Sequence, residues 1–322
     1  MFKNFLSGAL VAVVATWSQV AVAQDYPSDT VSIVVPFGPG GGTDFIARAF
    51  ADKFAQNLGG TVVVDNRAGA GTTVGTAYVA NSAPDGHTIL MNGSTLTFHP
   101  ALFKSLPYDL ESDIKPIAFV SEQPYVLLVN NDFPADTLDE FVDLAKASPG
   151  TIPYASAGVG SAMHLSAELL WRELGVEMLH IPYPGTGAAM NDLLAGEVKA
   201  IYTTATGAAE MLNAGTVKAL GISSAERSDA LPDLPTIAEL SLPNYSHTSW
   251  IALFVPAATP DDVVAKISEA TLKTLDDPQL QEQFATQGLS VRRGTPAEAQ
   301  AFFLSEIERW TEIIRAAGVE AQ

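Results

Sequence analysis

Two glycine- and hydroxyl-rich stretches carry the sharpest chemistry in the sequence: residues 36–44 (PFGPGGGTD) and residues 154–164 (YASAGVGSAMH). Glycine lets backbone N–H groups approach a ligand closely, and the first N–H groups of a helix have no partners of their own, so such a stretch at a helix start is built for anions. Neither stretch contains Lys or Arg. The attraction must then come from helix ends, worth about 0.3–1 kcal/mol each and up to about 2 when partly buried, and from charge-assisted hydrogen bonds of about 1.5–3 kcal/mol. Asp44 is expected to cap its helix start; it could also reach a ligand through water or accept from a protonated group. Each stretch taken alone reads equally well as a plain strand-to-helix connection. Further hydroxyl-bearing candidates are residues 92–99 (NGSTLTFH) and residues 182–187 (PYPGTG), where Thr186 is placed to cap the next helix.

Other chemistries fail on detail. A phosphate loop needs Gly-Lys-Ser/Thr, whereas Gly42-Thr43 is followed by Asp44. GVGSAM lacks the last glycine of the dinucleotide fingerprint, and no G-x-S-x-G elbow occurs. Ser161 and His164 read as a helix cap and a first-turn polar residue instead of nucleophile and base. The five histidines show no zinc-binding spacing. No cofactor, metal or catalytic residue is expected.

The composition sets the frame for these loops. The chain has 322 residues, 47% hydrophobic and 16% charged, with a net charge of -19. That field repels phosphate backbones and anionic headgroups, so nucleic acid is not an expected partner. The length suggests two domains. Zero cysteines excludes disulfides and thiol chemistry.

Lys3, an apolar run and the small-x-small sequence Ala21-Val22-Ala23 read as a secretory signal peptide over residues 1–23, cleaved after Ala23. An uncleaved anchor is the alternative, although the unbroken apolar part, residues 9–15, is far shorter than the roughly 20 residues a span needs. The expected location is the periplasm.

The loops need strands and helices to position them. Residues 31–35 form a β-branched run ahead of the first loop, and apolar residues at 45, 46, 49, 50, 54 and 58 follow it at helical spacing. Strands at 61–64 and 88–91 with a helix at 74–80 complete an α/β unit. Residues 117–120 and 125–129 read as two strands around Pro124. A second α/β unit then follows: strand 152–155, a helix from Ser161 with Leu165, Leu169, Leu170 and Leu174 on one face, helices at 188–194 and 208–213, and strand 217–222. A strand at 250–255 and helices from Asp261 and Pro296 close the chain. Each half therefore sets a glycine-rich loop between a strand and a helix.

With these segments in place, the chain resembles the substrate-binding proteins of tripartite tricarboxylate transporters, the Bug-type family. The likeness runs through PFGPGGGTDFIAR, VVVDNRAGAGTTVGTAYVANSAPDGHTIL, LPYDL, SAGVGSAMHLSAELL, IPYPGTGAAMNDLLAGEV and LPDLPTIAEL. It implies an α/β, two-lobed periplasmic binding protein (type II) fold, each lobe a mostly parallel sheet flanked by helices, with the ligand in the cleft. Lobe 1 is expected over 24–122 and 253–322 and lobe 2 over 123–252, hinged near 120–123 and 250–254. The implied function is capture of a small mono- or dicarboxylate by lobe closure, delivered by a monomeric receptor to a membrane permease. Service to a sensor system, or an exported hydrolase or isomerase acting on an acidic substrate, are the alternatives. Carried over by motif, Phe37, Gly38, Gly40, Gly41, Thr43 and Asp44 form one jaw, and Ser156, Ala157, Gly158, Gly160, Ser161 and His164 the other. Ser94, Thr95, Tyr183, Thr186 and Thr204 are added as further contacts. Three positions depart from the family pattern: His99-Pro100 where Asn-Pro is common, Pro184 where Lys is common, and Lys199 where an acidic residue is frequent.

Overall fold

The structure is a computed structural model describing residues 26–228 and 231–321; the expected signal peptide and its cleavage site lie outside the described residues. Among the described residues no helix is long and apolar enough to cross a membrane.

The first α/β unit comprises β1 (Val31–Val35), α1 (Gly42–Leu58), β2 (Val62–Asn66), α2 (Thr73–Ala80), β3 (Thr88–Gly93) and the short α3 (His99–Leu102). A long β4 (Ile114–Asn130) leads to α4 (Leu138–Ala147), β5 (Pro153–Ser156), α5 (Ala162–Leu174), β6 (Leu179–Pro182), α6 (Thr186–Ala195), β7 (Ala200–Thr204), α7 (Ala205–Ala214), β8 (Val217–Ile222) and α8 (Ile237–Leu240). The return consists of β9 (Thr248–Pro256), α9 (Asp261–Leu275), α10 (Pro278–Ala285), β10 (Ser290–Val291) and α11 (Pro296–Ala316).

One sheet runs β2-β1-β3-β9-β4 with β10 on the far edge of β4; the other runs β6-β5-β7-β4 with β8 beside β4. Among the described residues, four of the nine strand pairings are parallel and five antiparallel. The sheets are thus mixed, not mostly parallel. The helix-linked strands pair in parallel, while the long strands β4 and β9 run against their neighbours and turn the count.

Residues expected as two strands around Pro124 form the single strand β4. Pro124 falls between the β10 ladder, which ends at Glu122, and the β7 ladder, which begins at Tyr125, so its missing N–H interrupts neither, while the β9 ladder on the other edge runs up to it. The chain passes from the first sheet to the second between Pro124 and Tyr125, and rejoins the first at Thr248. Beside this crossing, a Cβ on Gly93 would lie 1.7 Å from the Trp250 carbonyl oxygen, so the β3–β9 pairing at that point admits only glycine.

Strand alternation builds a core on each face of each sheet. Val31, Ile33 and Val35 meet α1, α9 and α10, while Val34, Leu90 and Phe254 meet α2 and α11. In the second sheet Leu127, Val129 and Tyr202 pack on α4 and α5, and Val126, Leu128 and Ile201 on α6 and α7. Each fully buried aliphatic or aromatic side chain contributes roughly 1.5–3 kcal/mol. Helix α11 straddles the two bodies: Phe303 and Ile307 join the first-sheet core, whereas Trp310, Ile313 and Ile314 join the core of the second. A capping box between Thr295 and Glu298 fixes its start.

Candidate functional site

The loops that drew attention in the sequence all leave the C-terminal ends of parallel strands, where open α/β sheets bind ligands. Residues 36–41 follow β1, Asn66 ends β2, residues 157–161 follow β5, and Thr204 ends β7.

In the first loop Gly38, Gly40 and Gly41 are exposed, and Phe37 and Thr43 are half-buried. The N-cap of α1 is Gly41, which has no side chain, so Asp44 does not cap the helix start in the expected way. It sits three residues inside and reaches back: its carboxylate accepts from the Gly40 N–H at 2.8 Å, from Arg48 Nε at 2.9 Å and from Asn66 Nδ2 at 2.9 Å. Bonding to Arg48, to Gly40 and to Asn66 holds its carboxyl down at about 2, against the upward pull of burial. Two consequences follow for an anion. The Gly40 N–H is already spent on Asp44, and Arg48 neutralises the charge that would otherwise repel the ligand. Gly40 itself sits at φ 84, a left-handed conformation suited to glycine. Asn66 closes the loop by donating to the Phe37 carbonyl at 3.1 Å.

The next loop, between β2 and α2, is strained. Ala70 (φ 42) and Thr72 (φ 78) are non-glycine residues with positive φ. Buried His99 holds this turn from below, with Nε2 2.9 Å from the Gly71 carbonyl and 3.0 Å from Thr72 Oγ1, and Nδ1 2.7 Å from the Tyr108 hydroxyl. A carbonyl can only accept, so Nε2 carries the proton and Nδ1 accepts from Tyr108. Burial pushes the His99 imidazole down to about 4. The family departure at this position is therefore a neutral buried brace. Ser94 is buried and its carbonyl accepts from Thr97; Thr95 Oγ1 donates to Asn92 at 2.8 Å.

In the second body Ser161 caps α5 as expected, accepting the His164 N–H at 3.2 Å. His164 Nδ1 accepts the Gly160 N–H at 3.1 Å, so its near nitrogen faces the loop backbone and not Ser161. Ser156 is fully buried and binds Gly158 at both N–H and carbonyl, each at 3.1 Å, and His180 Nε2 at 2.6 Å. Ala157, Gly158 and Gly160 are half-buried. The Tyr183 hydroxyl donates to Asp192 at 2.6 Å. Thr186 does not cap α6: Gly185 occupies the N-cap, and Thr186 is the exposed first helical residue. Thr204 caps α7, accepting the Gly207 N–H at 3.3 Å.

Two of the contacts between the bodies flank the loops. A Cβ on Gly160 would lie 3.3 Å from Leu102 of α3, which places the second loop against the first body. In the other contact, Thr206 Oγ1 meets Gln123 of β4 at 2.6 Å and the Gln287 carbonyl. Gln123, Thr206, Gln287 and Leu289 share a cavity of about 260 Å³ with Gly40, Gly41 and Phe45. Phe45, expected on the apolar face of α1, instead points outward at 37% exposure and lines this cavity. Residues 156–164 line none of this cavity. A larger groove of about 630 Å³ lies between Glu122, Arg227, Arg292 and Arg309, and includes neither loop. Among the described residues no group of three potential metal ligands is found.

Arg48, Asn66, Gln123, His180 and Thr206 were not singled out from the sequence. Asn66 had one available signal, a polar residue at the end of a parallel strand. Gln123 and Thr206 had none, because their pairing spans 83 residues.

Fold and loop placement define a two-lobed α/β binding protein. Residues 46–319 match the model of the tripartite tricarboxylate transporter family receptor. The chain belongs to this family, whose members are periplasmic solute receptors, not enzymes. Among its relatives, BugT of Bordetella pertussis is 36% identical over 300 residues, covering 92% of each chain. The UPF0065 protein in the tcbD-tcbE intergenic region of Pseudomonas sp. strain P51 is 35% identical over 313 residues, 97% of this chain and 93% of that one. Among solved structures, the periplasmic binding protein BugD is similar at TM-score 0.76 and 37% identity, covering 92% of this chain and 100% of that one. MatC of Rhodopseudomonas palustris, solved with bound malate, gives 0.74 and 34%, with 90% and 100% covered. Rpa4515 of R. palustris, solved with adipate, gives 0.79 and 29%, with 92% and 100% covered.

Proposed function

We propose that this receptor captures a small mono- or dicarboxylate by closing lobe 1 (24–122 and 253–322) on lobe 2 (123–252) and, as a monomer, delivers it to the membrane permease of a tripartite tricarboxylate-type transporter. Export by a signal peptide cleaved after Ala23 puts it in the periplasm. The observation that carries the reading is the pair of glycine-rich loops at the ends of β1 and β5, each opening a helix N-terminus; in the first body Arg48 is tied to Asp44, and Arg67 to Asp65 at 2.6 Å. A carboxylate held there is bound by N–H groups and helix ends, which tolerate many acids with different tails. Phe37, Gly38, Gly41, Thr43, Ala157, Gly158 and Ser161 are the proposed contacts. Asp44, Ser156 and His164 shape the loops, and Ser94, Thr95, Tyr183, Thr186 and Thr204 border the cleft. Malate in MatC and adipate in Rpa4515 support the ligand class.

A hydrolase or isomerase would need an activated group facing substrate. Ser161 Oγ is engaged by the His164 N–H and His164 Nδ1 by Gly160, an arrangement suited to shaping a loop. The test is thermal unfolding and tryptophan fluorescence of the mature protein, refolded free of ligand, against mono-, di- and tricarboxylates and neutral sugars. Saturable stabilisation by a carboxylate subset, rising as RT ln(1 + [L]/Kd), is expected. Silence toward every carboxylate, with a response to a neutral solute or slow consumption of one, would overturn the reading.

A further inference from the structure

His164 and His180 lie beneath the second loop with ring centroids 4.0 Å apart and planes inclined by 14°. Tyr154 stacks on the other face of His180 at 5.0 Å, giving a column of three rings contributed by β5, β6 and α5. His164 is 6% exposed. Each imidazole binds a different part of the loop: His164 Nδ1 takes the Gly160 N–H at 3.1 Å, and His180 Nε2 meets Ser156 Oγ at 2.6 Å. Ser156 in turn holds both polar backbone groups of Gly158. Gly158 (φ 118) and Gly160 (φ 76) are the residues of this loop with positive φ, so the histidines fix its two left-handed turns.

The donors and acceptors assign the tautomers. The Gly160 N–H can only donate, so His164 Nδ1 is bare and its proton is on Nε2. Ser156 Oγ is fully satisfied when it accepts from Gly158 N–H and His180 Nε2–H and donates to the Gly158 carbonyl. His164 is then neutral with its proton on Nε2, and His180 carries a proton on Nε2, with burial favouring its neutral form. We propose that His164 and His180 are positioning residues that act as neutral imidazoles, setting the loop's shape through Gly160 and Ser156 and supplying no positive charge to the bound carboxylate. This rests on the carboxylate-receptor reading above.

The surroundings agree. Burial, then the neighbouring imidazole, pushes His164 down to about 4, and burial lowers His180. The titratable groups facing the column are Tyr154 of β5, whose hydroxyl donates to Glu168, and Glu168 of α5, 4.0 Å from His164 Nε2. The β6–α6 turn presents the Tyr183 carbonyl near Gly158, and α3 presents Leu102 near Gly160. A proton added at His164 Nδ1 would set two donors against each other at Gly160, so acid opens the loop and does not strengthen its grip.

Nitrogen-15 NMR of the ligand-free mature protein, labelled at histidine, tests the assignment directly. Both rings should show the Nε2–H tautomer at neutral pH, with His164 titrating well below 6. A His164 charged at pH 6, or protonated on Nδ1, would overturn the proposal. Binding is then followed from pH 8 to 4 with malate and adipate as probes, beside melts without ligand that report folding. Asn places an acceptor near the Nδ1 position and Gln a donor near the Nε2 position, so His164→Asn and His180→Gln should bind within about threefold of wild type. His164→Phe and His180→Phe, which keep a ring in the stack, should lose about tenfold, the equivalent of one hydrogen bond. Wild-type affinity should be flat to about pH 5 and fall below it, and His164→Asn should remove the fall. Affinity that rises as pH drops through 7 to 6, or equal losses in His164→Asn and His164→Phe, would refute the neutral role. If neither acid binds wild type, the receptor reading is at fault for these probes, and the tautomer spectrum still decides the proposal.

Discussion

Replacing Asp44 with Asn removes the charge that gathers the first loop while keeping its shape. The wild-type carboxylate is 4% exposed and serves three donors, Gly40 N–H, Arg48 and Asn66. Asn offers one oxygen and turns an NH2 toward the remaining donors. The buried charge-assisted bond to Gly40 is worth about 1.5–3 kcal/mol. The Arg48 pair contributes only about 0–1 kcal/mol, because Arg48 is 55% exposed. Loss of a negative charge in the first turn of α1 adds about 0.3–1 kcal/mol. The sum is about 2–5 kcal/mol, or roughly 3–8 °C in Tm for a chain of this size. Urea unfolding at several pH values is the assay. The folded carboxyl is depressed to about 2 from 3.8, so its stabilisation is complete above 3.8 and is lost as pH falls through the range 3.8 to 2. The gap between wild type and Asp44→Asn should therefore be full at pH 7 and close toward pH 2. A gap below about 0.5 kcal/mol at pH 7, an ordinary surface substitution, or one that persists unchanged in acid, would refute the idea that this carboxylate holds the loop. Unchanged stability with abolished carboxylate binding would instead place Asp44 against the ligand.

Gly40→Ala forces a side chain into φ 84 and should cost about 1–2 kcal/mol with weakened binding, whereas Gly41→Ala, at φ -82 with only the Gly38 carbonyl oxygen 3.7 Å away, should be nearly neutral for folding. Denaturant midpoints of the two variants check this, and equal losses would contradict the backbone argument. Thr206→Val removes the hydroxyl that touches both Gln123 and Gln287, two contacts of about 0.5–1.5 kcal/mol each. Small-angle scattering of the ligand-free variant should report a more open molecule; an unchanged radius of gyration would show that the contact does not tie the bodies together.

The sequence by itself determined the local grammar. Val31–Val35, the stop at Gly59-Gly60, the apolar face Leu165, Leu169, Leu170 and Leu174, and the Ser161 cap follow from period, propensity and hydrogen-bonding capacity within a few residues. The glycine loops were legible for the same reason, as was the family, through motifs spread along the chain. What the tertiary structure decided depends on partners distant in sequence. Pro124 broke a strand on paper, yet β4 passes through it because on one edge the β10 ladder ends at Glu122 and the β7 ladder begins only at Tyr125. Phe45 fitted an apolar stripe, yet the sheet buries Ile46 and leaves Phe45 beside the cavity. Asp44 read as a cap, yet Asn66, 22 residues away on β2, meets its carboxylate. His164 and His180, 16 residues apart, became a stack only when β5, β6 and α5 packed together. Periodicity records which face of an element is apolar, but the state of a buried carboxylate or imidazole is set by what the fold brings within hydrogen-bonding distance, and no single segment contains that information.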